Sequence, residues 1–192
     1  MTRSLQRSLL PALMLLIAAC GETLERSSVS PVNWQRRMVE GPMAGDLREG
    51  STYLSVYSEI YSESEHRTFN LTATVSMRNT SRSDTVFVHR AEYFNTQGVA
   101  IRSYFDRPIL IEPMETVEII IDEDDREGGS GANFIFDWAV RPGSPAPHFE
   151  SVMISTYGQQ GLSFTATGVH ISPAVEGGTE EELTTSTDSN DE

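Results

Sequence analysis

The chain contains no lysine, and cysteine occurs only once, at Cys20. One cysteine excludes an intrachain disulfide framework and any cysteine-rich zinc site. The four histidines, His66, His89, His148 and His170, lie too far apart for HExxH or a comparable metal spacing. Basic residues are few: 14, all arginine, against 28 acids, for a formal net charge of −14. So acidic a chain repels phosphate backbones and anionic headgroups, which sets nucleic acid aside as a partner. No apolar run reaches the roughly 20 residues a membrane-spanning helix requires. No repeat of fixed period is visible, which argues against propellers and solenoids.

What the N-terminus does hold is a short export pattern. Arg3 and Arg7 form a positive n-region with no acid nearby, and Leu9 to Ile17 form an apolar h-region of nine residues. Ile17-Ala18-Ala19-Cys20 follows as a lipobox. Small residues at the two positions before the cysteine suit a narrow peptidase site, and the Cys20 thiol carries the diacylglycerol. Residues 1–19 therefore read as a lipoprotein signal peptide and Cys20 as the lipidated (palmitate-bearing) N-terminus of the mature protein. Two or three acyl chains make a stable anchor where one binds only reversibly. The expected partner at this end is a lipid bilayer and the expected location the bacterial cell envelope. Gly21 and Glu22 follow Cys20 with no aspartate beside it, which in a Gram-negative cell favours the periplasmic face of the outer membrane.

Residues 20–49 show no strand-length alternation and read as a lipidated tether, with one amphipathic patch from Trp34 to Val39. A coil of that length spans roughly 30 Å on average. Trp34, Arg36 and Arg37 suit either the bilayer surface or the domain itself. At the other end, residues 173–192 hold seven acids and no basic residue. They cannot bury enough apolar surface to offset their ordering entropy, so a disordered acidic tail is expected.

Between them, residues 50–172 are dominated by period-2 patterning. Phe69, Leu71, Ala73, Val75 and Met77 alternate with polar residues without interruption. Val117, Ile119 and Ile121 line a second strand, Phe134, Phe136, Trp138 and Val140 a third, and Leu162, Phe164 and Ala166 a fourth. Weaker candidates are Tyr53 to Tyr57, Thr85 to Phe94, Ala100 to Phe105, Ile109 to Ile111 and Val152 to Tyr157. Asn79 to Asp84 and Asn95-Thr96-Gln97-Gly98 supply turn chemistry. Short strands at near-regular spacing predict an all-β domain, an immunoglobulin-like β-sandwich of about eight or nine strands, with a small β-barrel as the alternative.

Several segments of this domain are familiar together: Val56-Tyr57-Ser58 through Tyr61, Phe69 to Thr74, Arg78-Asn79-Thr80, Gly128 to Phe134, Val152-Met153-Ile154 and Gln159 to Phe164. The set resembles a family of bacterial lipoproteins known only as a domain of unknown function. GGSGANF (residues 128–134) and the QQGxSF segment (159–164) are its most specific parts. The resemblance covers roughly residues 50–171. Ser55 stands where the family pattern has proline, and Glu59 where it has histidine. The resemblance implies a fold and an address, and it transfers no catalytic residue.

One segment invites a site. Asp122-Glu123-Asp124-Asp125-Arg126-Glu127 places five carboxylates in six positions, ahead of the glycines 128, 129 and 131. Calcium takes six to eight oxygen ligands from flexible loops, and Asp122, Asp124, Asp125, Glu127 and Asn133 are the candidate ligands. The spacing matches neither the EF-hand nor the nonapeptide repeat, and a solvated acidic connection with glycines at a bulge accounts for the same residues. A phosphate cradle is excluded by the neighbouring acids, by the absence of lysine and by the strand that follows. Gly129-Ser130-Gly131 is not a nucleophile elbow. Gln159 and Gln160 form a candidate recognition loop between two strands. Tyr53, Tyr57 and Tyr61 recur at every fourth position, as on one strand face. The expected function is a non-enzymatic binding or structural module, with an envelope protein or a glycan as partner. The alternative is calcium binding or metal-dependent hydrolysis at residues 122–133.

Overall fold

The structure is a computed structural model that describes residues 34–41, 43, 45–157 and 160–171. The signal segment, Cys20, Gln159, the Gln160 side chain and the acidic tail lie outside the described residues. Among the described residues, twelve strands form three antiparallel sheets. They are β1 (Arg48–Ser55), β2 (Glu59–Ser62), β3 (Ser64–Asn70), β4 (Thr72–Arg78), β5 (Val86–Phe94) and β6 (Ala100–Ser103), followed by β7 (Ile109–Ile111), β8 (Thr116–Ile121), β9 (Asn133–Val140), β10 (His148–Tyr157), β11 (Gln160–Thr167) and β12 (Val169–Ile171). One sheet has the order β12-β1-β9-β5-β6, with β7 also pairing β5. The second has the order β11-β10-β4-β8, and β2 and β3 form a separate hairpin.

The two larger sheets pack face to face as a sandwich, because each strand buries alternate residues. Leu54, Tyr93, Phe134, Phe136 and Trp138 point inward from the first sheet; Ala73, Val75, Met77, Ile119, Ile121, Phe149 and Met153 point inward from the second. Phe136 of β9 stacks on Phe149 of β10 with centroids 4.4 Å apart, joining the layers. Each such side chain, fully buried, contributes about 1.5–3 kcal/mol. Trp138 satisfies its indole by donating to Thr52 Oγ1 at 3.0 Å. No sheet closes into a barrel among the described residues.

Twelve strands stand where eight or nine are expected, and the excess has local causes. The unbroken alternation from Phe69 to Met77 is divided at Leu71, whose N–H donates to Ser58 O at 2.9 Å. Phe69 thus belongs to the hairpin, and the core positions resume at Leu71. Within β5 the ladder to β9 shifts between Val88 and Arg90, making His89 the extra residue of a bulge. The buried set accordingly moves from Val86 and Val88 to Ala91 and Tyr93. The three tyrosines do not share a strand: Tyr53 lies in β1, Tyr57 lies beyond it and meets Phe164 at 6.2 Å, and Tyr61 stands exposed on β2.

The sandwich also recruits part of the segment expected to be tether. Trp34 is buried, 5.5 Å from Phe105 and 6.4 Å from Tyr104 by ring centroids. Leu110 N–H donates to Arg37 O at 2.9 Å and Val39 N–H to Pro108 O at 2.8 Å, so residues 37–39 extend the sheet beyond β7. Arg37 closes the contact with an ion pair to Glu115 at 2.8 Å. The indole of Trp34 is committed to the domain, while Arg36 remains exposed.

Candidate functional site

The acidic segment, the Asn95–Gly98 turn and the end of β6 meet at one end of the sandwich, around Arg102. Alternation on β6 sets Arg102 opposite Tyr93, and the side chain is 5% exposed. Its Nη1 reaches Asp125 Oδ2 at 2.7 Å and Tyr104 OH at 3.2 Å, while Nη2 reaches Glu127 Oε2 at 3.1 Å. The guanidinium lies 5.9 Å from the ring centroids of both Tyr93 and Tyr104. Arg102 Nε is buried without a hydrogen-bond partner among the described residues. Burial opposes the charge on Arg102, but the Asp125 carboxylate and Tyr104 outweigh it and hold the guanidinium firmly protonated. Burial, reinforced by the Asp125 charge, pushes the Tyr93 hydroxyl well above the usual phenol range.

The glycines are explained by the same packing. A Cβ on Gly128 would collide with the Tyr93 hydroxyl and approach Ala132 Cβ to 2.7 Å. Gly129 adopts φ +79°, and its N–H donates to Ser58 Oγ at 2.8 Å. Thr96 locks the segment twice, donating from Oγ1 to Gly128 O at 3.1 Å and accepting from Gly131 N–H at 2.9 Å. Val56 N–H donates to Ala132 O at 3.0 Å. The GGSGANF segment is therefore a backbone joint between three loops and the start of β9.

The candidate calcium ligands separate into three environments. Asp125 and Glu127 converge on Arg102; Asp122 and Asp124 are exposed; Asn133 sits within β9, paired with Ser55 and Phe94. Arg126 turns the other way, toward Asn70, whose amide oxygen accepts from Nη2 at 2.8 Å and Nε at 3.0 Å once the amide is turned to the orientation that satisfies both groups. No group of three or more His, Asp or Glu side chains is placed to hold a metal ion among the described residues. The histidines lie on four different strands: His66 exposed on β3, His89 in the bulge, His148 on β10 and His170 edge-on to Trp138 at 5.0 Å.

Arg102, Tyr93 and Tyr104 were not among the expected site residues. Their signal was present, since Arg102 and Tyr104 share the phase of a short strand and one of the two is charged. Two open grooves, of about 530 and 360 Å³, flank Trp34. The larger mixes Arg36, Arg37, Glu112, Glu115 and Glu118, so opposite charges share its walls.

An antiparallel sandwich with the Arg102 guanidinium clamped at its loop end defines a class of small all-β domains. The chain belongs to the family of proteins of unknown function designated DUF3124, whose model matches residues 49–171. No curated protein matches it. Among solved structures, the crystal structure of Thermotoga maritima 1070 is similar at a TM-score of 0.41 and 9% identity, over 62% of this chain and 92% of that one.

Proposed function

We propose that this chain is a lipid-anchored protein of a bacterial envelope whose sandwich serves as a non-enzymatic binding or structural module. The observation that carries the anchor is the register of Arg3 and Arg7, the Leu9–Ile17 h-region and Ala18-Ala19-Cys20 around the only cysteine. Trp34 packs on the domain, which ties the chain to the sandwich at that point. The module reading is supported by how the conspicuous residues are used: Asp125 and Glu127 neutralise Arg102, and the glycines let loops approach. The partner is an envelope protein or a glycan.

Growth with radiolabelled palmitate, followed by membrane fractionation, tests the anchor. The parent chain should carry label and sediment with membranes. Cys20→Ser should lose the label and accumulate as uncleaved precursor. Label retained in Cys20→Ser, or an unlabelled parent, refutes the anchor.

A further inference from the structure

The sheet edges are not equally protected. Open edges invite pairing, and proteins blunt them with charge, proline, bulges or short strands. β6 has four residues and a register shift against β5; β7 is covered by residues 37–39; β12 has three residues; β8 carries Glu118. Among the described residues β11 has none of these devices. It is eight residues long, pairs with β10 in an unbroken register, and contains no proline and no charge. Its other edge has no strand partner among the described residues. The adjacent β10 stretch, residues 151–157, is uncharged as well, in a chain of which 22% is charged. Gly161, Leu162, Ser163, Thr165 and Thr167 are exposed, Leu162 to 40%.

We infer that β11 is a docking edge for a second copy of this chain, the two β11 strands pairing antiparallel across a two-fold axis. The strip offers unpaired backbone N–H and C=O groups and no side-chain charge, which suits another uncharged strand. Two copies of so acidic a chain repel wherever their acids meet, and β11 with residues 151–157 of β10 is a strip that brings no acid of its own to the contact. Self-pairing also fits in register. A two-fold axis perpendicular to the sheet keeps each face continuous only when inward residues oppose inward residues. Centring on Phe164 meets that condition and overlaps residues 161–167. Leu162 then opposes the partner's Ala166, large against small. Ser163 opposes the partner's Thr165 on the outer face, a hydroxyl pair that stabilises antiparallel ladders. The result is one sheet running through both subunits, β8-β4-β10-β11 on either side of the axis.

Sedimentation velocity of the full chain in detergent, over a range of concentrations, tests this. The parent chain should show a monomer–dimer equilibrium. Thr165→Lys, at an exposed position of the edge, should raise the dimer dissociation constant at least about tenfold, equivalent to 1.4 kcal/mol, with its melting temperature unchanged at concentrations where the parent is monomeric. Val99→Lys, at an exposed apolar residue of a distant loop, should leave the dimer intact. A chain monomeric at every concentration overturns the inference, as does a dimer that Thr165→Lys leaves intact.

Discussion

The Arg102 cluster makes a quantitative claim about the acidic segment, because its two carboxylates differ in exposure. Asp125 is 11% exposed and Glu127 41%, while both contact the same 5%-exposed arginine. Removing one partner from a buried ion pair leaves an uncompensated charge and costs about 3–5 kcal/mol. Glu127 and Tyr104 remain as partners in Asp125→Ala, so the lower end applies, about 3 kcal/mol. At about 4 °C per kcal/mol for a domain of this size, the melting temperature should fall by roughly 12 °C. Glu127→Ala breaks a solvent-screened pair and should cost under about 1 kcal/mol. Asp125→Leu combined with Arg102→Met should recover most of the loss, since the stranded charge goes with its partner. Urea unfolding of the parent and the three variants measures all of this. Equal, small losses in Asp125→Ala and Glu127→Ala, with a double variant no more stable than Asp125→Ala, would refute the claim that the segment is clamped by the buried Arg102 guanidinium.

The same packing sets three further expectations. Gly128→Ala forces a Cβ into the Tyr93 hydroxyl and should cost about 1–3 kcal/mol by overpacking, with partial recovery on adding Tyr93→Phe, as read by urea midpoint. Tyr93 has its pKa raised by burial above the unfolded 10.0, so unfolding releases its proton at alkaline pH; that stabilisation should be complete below pH 10 and decline as pH rises further, with a shallower decline in Tyr93→Phe. Burial favours protonation of Glu115, but the Glu112 N–H and Arg37 outweigh it and hold the carboxyl below 4.5. Its contribution is therefore present above that pH and lost as pH falls. Hydrogen-exchange protection of the Val39 and Leu110 amides should weaken on acidification, and should already be weaker in Glu115→Gln at neutral pH.

How much of this was legible in the sequence depends on the range of the interaction. Alternation revealed the inward faces of β4, β8, β9 and β11, because strand periodicity is local. It did not show that Phe69 and Leu71 sit on opposite sides of a break, since a hydrogen bond from Leu71 to Ser58 makes that break without disturbing the pattern. Nor did it show the His89 bulge, which reverses the phase inside one apolar run. Trp34 illustrates the longest range: its partners Tyr104 and Phe105 are distant in sequence, and no local period marks residues 34–39 as part of the domain. The acidic segment was conspicuous, yet its meaning rested on one arginine outside it.

That last point bears on where a partner should be sought. The most recognisable segment, GGSGANF, is explained by Tyr93, Thr96 and Ser58 pressing on its backbone. Its glycines would be required whatever the protein bound, so recognising the segment identifies the fold and leaves the partner open. The reverse holds for β11. Nothing in packing requires its outward Ser163, Thr165 and Thr167 to be uncharged, and a lysine or glutamate at any of them would protect the edge at little cost to the fold. Residues demanded by packing carry little information about binding. Residues that packing leaves unconstrained, and that nonetheless avoid the obvious protective choice, carry more, and in this chain they lie along β11.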